Sequence, residues 1–531
     1  MANRIGATGD DVRRIFPAFT GLLALLLLFP LLAGSTERYW PTHSWRTSSP
    51  ETQGFDSEAL ASALRTIRER NIPIHSLLIE RNGYVILDTY FFPFREREKH
   101  DLASATKSIT STLIGIAIGD GRLAGVEQPV LSVFSDRSVS YRDARKERMT
   151  ISDLLTMRSG LDCRFDHGEL TLNQMRASAH WVPFMLNLPM SSDPGSKWVY
   201  CSGGMHVLSG IISKVTGRSA FAFAQEKLFA PLGIRAASWP SDPDGISDGW
   251  GDLHLQPRDM AKIGYLWLHL GDWEGRQIVP ADYLRVATQP HSHEPEYGYG
   301  FWVYQNRRPA IFANMGSVFE AQGRGGQRIW VIPEKDMVVV MTGGGFEPAD
   351  VGALLFPALK SDGRLPPNSR GDTRLAAASL AAVKPPPAHP AEPLPSLAKS
   401  ISGKVYLLNK NGLGLKSLSL RFSGALPALS LEAVDGRSET RPIGLDGVPR
   451  FSPSHNMRPP ATSTLSIDGY GDSYVAVSGA WEDDHTLVLD YDTVANINDY
   501  QIRLVFRDQQ VKIKLHERTG LINESVEGHV Q

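Results

Sequence analysis

Ser104 and Lys107 stand in the run Ser104-Ala-Thr-Lys107. In a helix, positions i and i+3 share a face, so this spacing brings a hydroxyl and an amine within reach of each other. The residues around and after the pair are strongly apolar: Ile109, Leu113, Ile114, Ile116 and Ile118 precede a stop at Gly119-Asp120-Gly121. An amine in such surroundings loses solvation. Its pKa falls, and it can then take a proton from serine near neutral pH. A serine in the first turn also meets free N–H groups and the positive end of the helix dipole, which favour developing negative charge. The chemistry open to such a pair is nucleophilic attack on a carbonyl.

Ser-x-x-Lys alone carries little information, and it recurs at Ser396-Leu-Ala-Lys399 inside a proline-rich stretch. Two other segments supply context. Tyr200-Cys-Ser202 follows the turn-rich Asp193-Pro-Gly-Ser-Lys-Trp198 and precedes a helical pattern over residues 204–215. A tyrosine at that loop-to-helix junction can place its phenol beside a nucleophile. Gly323-Arg-Gly-Gly-Gln327 runs directly into a strand pattern ending at Ile332. Its glycines let backbone N–H groups approach a ligand, as an oxyanion hole requires, and they equally suit a bulged or bent strand.

Other constellations lose out. His291-Ser-His293-Glu294 lies beside Pro295 and lacks a third ligand at metal-site spacing, so an exposed loop is the better reading. His206 and His254 have no evident acidic partner for a Ser-His-Asp arrangement. No His-Glu-x-x-His or Walker-type loop is present. A net charge of −2 with both signs intermixed leaves no electrostatic footprint for nucleic acid.

The elements that must position these groups divide 531 residues with 42% hydrophobic content into more than one core. A first folded region is expected over residues 51–360, and it carries all three motifs. It opens with a helix over 56–70, where Leu60, Leu64 and Ile67 recur at helical spacing. Strands at 76–80 and 84–88 follow, split by Asn82-Gly83, a strong hairpin signal. A second hairpin joins 327–332 to 337–341 through Pro333-Glu-Lys-Asp336. Strands at both ends with helices between them indicate an α/β (α+β) layer: an antiparallel sheet flanked by helices, with a mainly helical subdomain beside it. Residues 361–400, rich in proline and alanine, read as a stiff exposed linker. Residues 401–531 carry short alternating strands and read as an all-β accessory domain.

At the other end, Arg13 and Arg14 precede an uncharged run over residues 15–34. This reads as a signal peptide or an uncleaved membrane anchor within residues 1–35. Export to the periplasm or the extracellular space is therefore expected, with attachment to the membrane if the leader stays. The two cysteines, Cys163 and Cys201, allow one intramolecular disulfide or two separate buried thiols.

Taken in order, the three motifs resemble those of the class C β-lactamase and penicillin-recognising serine hydrolase superfamily. The likeness is greatest to the branch containing 6-aminohexanoate-dimer hydrolase and related esterases. Met149-Thr-Ile-Ser-Asp-Leu-Leu-Thr-Met-Arg-Ser-Gly160, Pro231-Leu-Gly233, Gln256-Pro-Arg-Asp-Met-Ala261 and Tyr297-Gly-Tyr-Gly300 add to it. The resemblance implies that Ser104 is the acylated nucleophile, Lys107 its proton acceptor and Tyr200 a second acid/base. It implies an oxyanion hole from the N–H groups of Ser104 and Gln327, with Ser202 and Gly325-Gly326-Gln327 bordering the substrate. It also places Cys163 and Cys201 beside one site, where a bond between them would fix the tyrosine loop. Two positions depart from the family pattern: Arg324 stands where Lys-Thr-Gly has its lysine, and Tyr-x-Asn has become Tyr-Cys-Ser. β-Lactams and peptidoglycan termini are therefore disfavoured, although Arg324 has donors for a carboxylate. The expectation is a cofactor-free serine hydrolase acting on a small ester or amide. A β-lactamase or D-alanyl-D-alanine carboxypeptidase is the alternative, and a non-catalytic binding or sensor protein a further one.

Overall fold

The Asp56 carboxylate accepts the N–H groups of Glu58 and Ala59 and so starts helix α1, Ser57–Glu69. Leu60, Leu64 and Ile67 of α1 are buried, as their spacing predicts. Asn82 and Gly83 both adopt positive φ, 53° and 78°, which supplies the twist a two-residue hairpin needs. The structure, a computed structural model, describes residues 38–453 and 474–531. The leader expected within residues 1–35 lies outside the described residues.

Nine strands form one sheet: β1 (Arg46–Thr47), β2 (Ile74–Arg81), β3 (Tyr84–Tyr90), β4 (Ser292–His293), β5 (Glu296–Tyr297), β6 (Trp302–Tyr304), β7 (Val318–Gly323), β8 (Gln327–Ile332) and β9 (Met337–Gly343). Their order is β1-β3-β2-β9-β8-β7-β6-β5-β4. All neighbours are antiparallel except β1 and β3. Val340 of β9 lies opposite Leu78 of β2, so the two ends of the hydrolase region share one sheet, as the hairpins predict.

Both faces of this sheet are covered. Helices α2 (Thr106–Gly119), α3 (Asp166–Arg176), α4 (Ser202–Thr216) and α5 (Pro257–Leu268) come from the long segment between β3 and β4. Helices α6 (Pro348–Leu355) and α7 (Ser369–Ala382) follow β9. Along β9, Val338 and Val340 join the core shared with α2, α4 and α5, while Met337, Val339 and Met341 join the core shared with α1, α6 and α7. That is the period-2 alternation of a strand packed on two sides. Helix α5 lies so close to the sheet that a Cβ on Gly264 would stand 2.6 Å from a Val338 methyl.

The linker expected over residues 361–400 needs correction. Asn368 caps α7 by accepting the Gly371 N–H, and Leu375, Ala378 and Ala382 pack into the α1 core. Alanine is the best helix former, and Ala377-Ala378 and Ala381-Ala382 fall between apolar positions at helical spacing. The stretch after Val383, with its prolines, and the short segment 361–368 ahead of α7 are irregular and largely exposed. Ser396 and Lys399, the second Ser-x-x-Lys, lie on a short helix with both side chains in solvent.

The C-terminal strands are β10 (Val405–Leu408), β11 (Leu415–Arg421), β12 (Ala428–Ala433), β13 (Ser438–Pro442), β14 (Arg450–Pro453), β15 (Tyr474–Asp483), β16 (Thr486–Thr493), β17 (Asp499–Arg507), β18 (Gln510–Glu517) and β19 (Asn523–Val530). They form one antiparallel sheet in the order β13-β12-β11-β10-β19-β18-β17-β16-β15-β14. Gly444, just beyond β13, donates to Val477 O and accepts from Gly479 N, which draws the sheet towards a closed barrel. Its interior holds Tyr406, Leu418, Leu489, Leu504, Phe506 and Val526. The expected all-β architecture is thus observed, and Trp40–Gln531 forms one compact unit.

Candidate active site

The chain enters the site through the short strand His100–Asp101, paired with His254–Leu255. The Leu102 N–H then donates to Leu253 O at 2.9 Å. Ala103 turns the backbone with φ of 44°, a left-handed conformation that costs a side-chain-bearing residue about 1–2 kcal/mol. Asp101 holds it there, its Oδ1 accepting the Ala103 N–H at 2.7 Å. Ser104 sits in the 3₁₀ turn Ala103–Ala105, one turn ahead of α2. The helix therefore starts slightly later than the motif suggested, and Ser104 stands at its mouth.

Every residue of α2 from Thr106 to Ala117 is buried, so each hydroxyl on it needs a partner. Ser108 donates to Gly300 O at 2.6 Å and Thr110 to Gly249 O at 2.7 Å. These bonds fix the loops that carry Trp302 and Trp250 to the same end of the helix. Lys107, 1% exposed, extends its Nζ to 2.8 Å from Ser104 Oγ and 2.8 Å from Trp250 O. Burial brings the Lys107 pKa down to about 8, against a smaller upward pull from Glu169 and Asp252.

The Tyr200 ring lies 4.8 Å from Lys107 Nζ, measured to its centroid. Tyr200 lines the cavity, and its hydroxyl meets those of Ser104 and Ser202. Burial, then the Glu169 carboxylate, raises the phenol pKa well above its usual value, and the Ser104 and Ser202 hydroxyls offset part of this. Tyr200 is thus a phenol, a proton donor, across the neutral range. Phe165 and Trp302 contact its ring with centroids at 5.5 Å and 6.4 Å.

Cys163 and Cys201 are joined in a disulfide. The bond ties the loop after Leu161 to the residue next to Tyr200. Ser202 opens helix α4, is 2% exposed, and stands behind Tyr200 rather than on the cavity wall.

The border strand differs from expectation. Gly325, Gly326 and Gln327 do not reach the cavity; the backbone that does is Gln322-Gly323-Arg324. A Cβ on Gly323 would stand 2.2 Å from Leu102 O, so only glycine lets the strand edge touch the nucleophile turn. Gln327 is fully buried, and its side chain bridges Arg324 O and Gly343 N and O. Gly325 and Gly326 make room for Ile497 and Phe346. Arg324 borders the cavity, but its guanidinium is held by residues of the β domain: Glu517 at 3.3 Å, Asn498 at 2.9 Å and Thr519 at 2.5 Å. It is not a free anchor for a carboxylate.

Ser104, Tyr200 and Arg324 open onto a cavity of about 680 Å³. Its walls are chiefly apolar, from Phe165, Leu172, Trp198, Trp250, Trp302 and Leu521, with Asp101, Glu169 and Asp252 among them. Burial and the neighbouring Asp101 and Asp248 carboxylates push the Asp252 pKa well above the usual range. The motif reading did not anticipate these wall residues. Trp198 and Trp302 had a signal, since each adjoins a motif already singled out; Leu521 had none. A larger cleft of about 1090 Å³ opens between α1, α7 and the β domain, but no serine, threonine or cysteine lines it. His206 pairs with Asp242 at 3.0 Å, away from Ser104, and His254 bonds Asp252 O. No cluster of metal-ligating side chains occurs among the described residues, and His291 bonds Val286 O.

Comparison with known proteins shows the family and the fold. The family model described as Beta-lactamase matches residues 59–361. The 6-aminohexanoate-dimer hydrolase of Paenarthrobacter ureafaciens is 24% identical over 312 residues, 53% of this chain and 76% of that protein. The lovastatin esterase of Penicillium rubens is 27% identical over 194 residues, 30% of this chain and 48% of its own length. Among solved structures, EstCE1, a hydrolase with promiscuous acyltransferase activity, superposes with a TM-score of 0.50 at 16% identity, covering 57% of this chain and 99% of its own. The last shows a shared fold.

Proposed function

The chain belongs to the beta-lactamase family, and from that premise we propose that it is a serine hydrolase of small esters or amides that works through an acyl-enzyme on Ser104. One observation carries the reading: a buried amine with a depressed pKa lies 2.8 Å from a serine hydroxyl that opens onto a cavity.

Neutral Lys107 accepts the Ser104 proton as Oγ bonds to the substrate carbonyl carbon. The negative charge that develops on the carbonyl oxygen meets the Ser104 N–H and the backbone edge at Gly323-Arg324, in a cavity where apolar walls strengthen such bonds. Tyr200, held protonated by burial, gives its proton to the leaving alcohol or amine and is reprotonated by the Lys107 ammonium. Water then repeats the sequence on the acyl-enzyme, with Lys107 as base and Ser104 as leaving group. Every proton is returned, and no cofactor enters a step.

Two features favour an ester or simple amide over a β-lactam or peptidoglycan terminus. Arg324 spends its donors on Glu517, Asn498 and Thr519, and the cavity wall carries Phe165, Trp198, Tyr200, Trp250 and Trp302. The disulfide favours an oxidising compartment outside the cytoplasm, which accords with export by an N-terminal leader. A fluorophosphonate probe tests the assignment: wild-type protein should be labelled on Ser104 and hydrolyse p-nitrophenyl acetate, and Ser104→Ala should do neither. Full turnover by Ser104→Ala would refute it.

A further inference from the structure

The β domain reaches the rim of the cavity with two loops. On the first, Ala495 O accepts the Asp101 N–H at 3.1 Å, Asn498 bonds Arg324, and Ile497 fills the space left by Gly325. The second joins β18 to β19, and its last turn is organised by one side chain. Glu517 is fully buried. Its Oε2 accepts Thr519 Oγ1 at 2.6 Å and the Leu521 N–H at 3.0 Å, while its Oε1 accepts Arg324 at 3.3 Å. A single carboxylate thus ties the turn carrying Leu521 to the strand edge beside the nucleophile.

Leu521 is held on this turn by its N–H bond to Glu517. It lines the same cavity as Ser104, and its Cδ1 is 3.7 Å from where a Cβ on Gly168 would be. Gly168 belongs to α3 on the far rim, so the leucine spans the mouth from the Arg324 side to the α3 side. A branched apolar side chain there shortens the channel open to a substrate extending away from Ser104. It also offers an apolar surface to one that fits.

We propose that Leu521 is a specificity-determining residue which limits the length of the apolar part of the substrate, and that Glu517 is the positioning residue which holds it in place. The inference rests on the hydrolase reading above and deepens it: the preferred substrates are esters or amides with short apolar chains. A substituent on either side of the scissile bond that outgrows the space between Gly168 and Arg324 meets Leu521.

The test uses the purified full chain and two ester series: p-nitrophenyl esters with acyl chains of increasing length, and acetates of alcohols of increasing length. The readout is the ratio of kcat/KM for the longest to the shortest member, which cancels differences in the amount of active protein. Leu521→Ala should raise this ratio about tenfold or more in at least one series, and Leu521→Trp should lower it by a similar factor. Glu517→Gln should shift it in the same sense as Leu521→Ala. Ratios unchanged from wild type in both series for both leucine variants would overturn the role of Leu521. An unchanged ratio in Glu517→Gln, with Leu521 variants responding, would overturn the role of Glu517. Failure of the hydrolase reading looks different: wild-type protein would neither turn over the shortest ester nor label on Ser104.

Discussion

Trp250 O accepts a hydrogen bond from Lys107 Nζ at 2.8 Å, and this contact sets the direction of the amine. A neutral amine has two N–H donors and one lone pair. With a carbonyl fixed on one side, the lone pair can face Ser104 Oγ on the other. The ammonium form has no lone pair to offer, so turnover needs the deprotonated fraction. Because burial holds the Lys107 pKa at about 8, kcat/KM for an activated ester should climb with pH through that region and level off above it. Lys107→Ala should cost on the order of 10² to 10⁴ in rate, and Lys107→Arg, charged at every accessible pH, should not restore it. A pH–rate profile flat from weakly acidic to alkaline solution would remove lysine as the base.

Tyr200→Phe separates proton donation from packing. The ring contacts with Phe165 and Trp302 survive the change, so thermal stability should move little. The rate for an ester of a poor leaving group, such as an alkyl alcohol, should fall by about 10² to 10⁴. A p-nitrophenyl ester, whose leaving group needs no proton, should suffer far less. Equal losses on both substrates would count against Tyr200 as the donor to the leaving group.

The disulfide closes a loop spanning a sequence separation of 38. Chain-entropy reasoning gives about 4 kcal/mol for a loop of this size, and measured losses on removing native disulfides are typically about 2–5 kcal/mol. The double variant Cys163→Ser, Cys201→Ser should therefore unfold at lower temperature and lower denaturant. Because Cys201 adjoins Tyr200, kcat should drop as well, and it should drop more for esters of poor leaving groups. Calorimetry and the same ester pair read both effects.

Lys146 is a second fully buried lysine, and its surroundings show why burial alone does not make a base. Its Nζ donates to Ser140 O, Leu186 O and Leu188 O, at 2.9, 2.9 and 2.6 Å. All three ammonium hydrogens go to backbone carbonyls and none to a hydroxyl. Lys146→Met should leave three carbonyls without this donor, that of Leu186 in a buried contact, and cost about 1–3 kcal/mol in urea unfolding. The folded fraction should still label on Ser104 at the wild-type rate. A large loss of labelling in fully folded protein would show that Lys146 does more than brace the helical subdomain.

The proposed trio of Ser104, Lys107 and Tyr200 was legible because its spacing is local or its neighbours are distinctive. Ser104 and Lys107 lie on consecutive turns, the 3₁₀ turn and the start of α2, where an interval of three residues is a distance, and their apolar neighbours announce a desolvated amine. Asn82-Gly83 announced its hairpin through two positive φ values that few residue pairs accept. The role of Gly325-Gly326-Gln327 was misjudged for a related reason. A run of glycines says that something approaches closely, but not what. Here Ile497 and Phe346 approach the second and third glycines, and only Gly323 meets the nucleophile turn. The alanine-rich half of the supposed linker misled in the opposite way, since composition could not reveal that α1 offered it an apolar face.

From residue types, local spacing and the family resemblance they carry came the proposed nucleophile, its proposed base, the phenol, the one possible cysteine pairing and the two kinds of folded region. Those rest on backbone periodicity and on short-range chemistry, which a chain carries wherever it goes. Tertiary structure alone decided that Arg324 is occupied by Glu517, that Trp250 lends its carbonyl to Lys107, and that Leu521 stands over the cavity. Each joins residues far apart in the chain or in different regions of it. Such contacts depend on how packed elements meet, and no sequence interval encodes them.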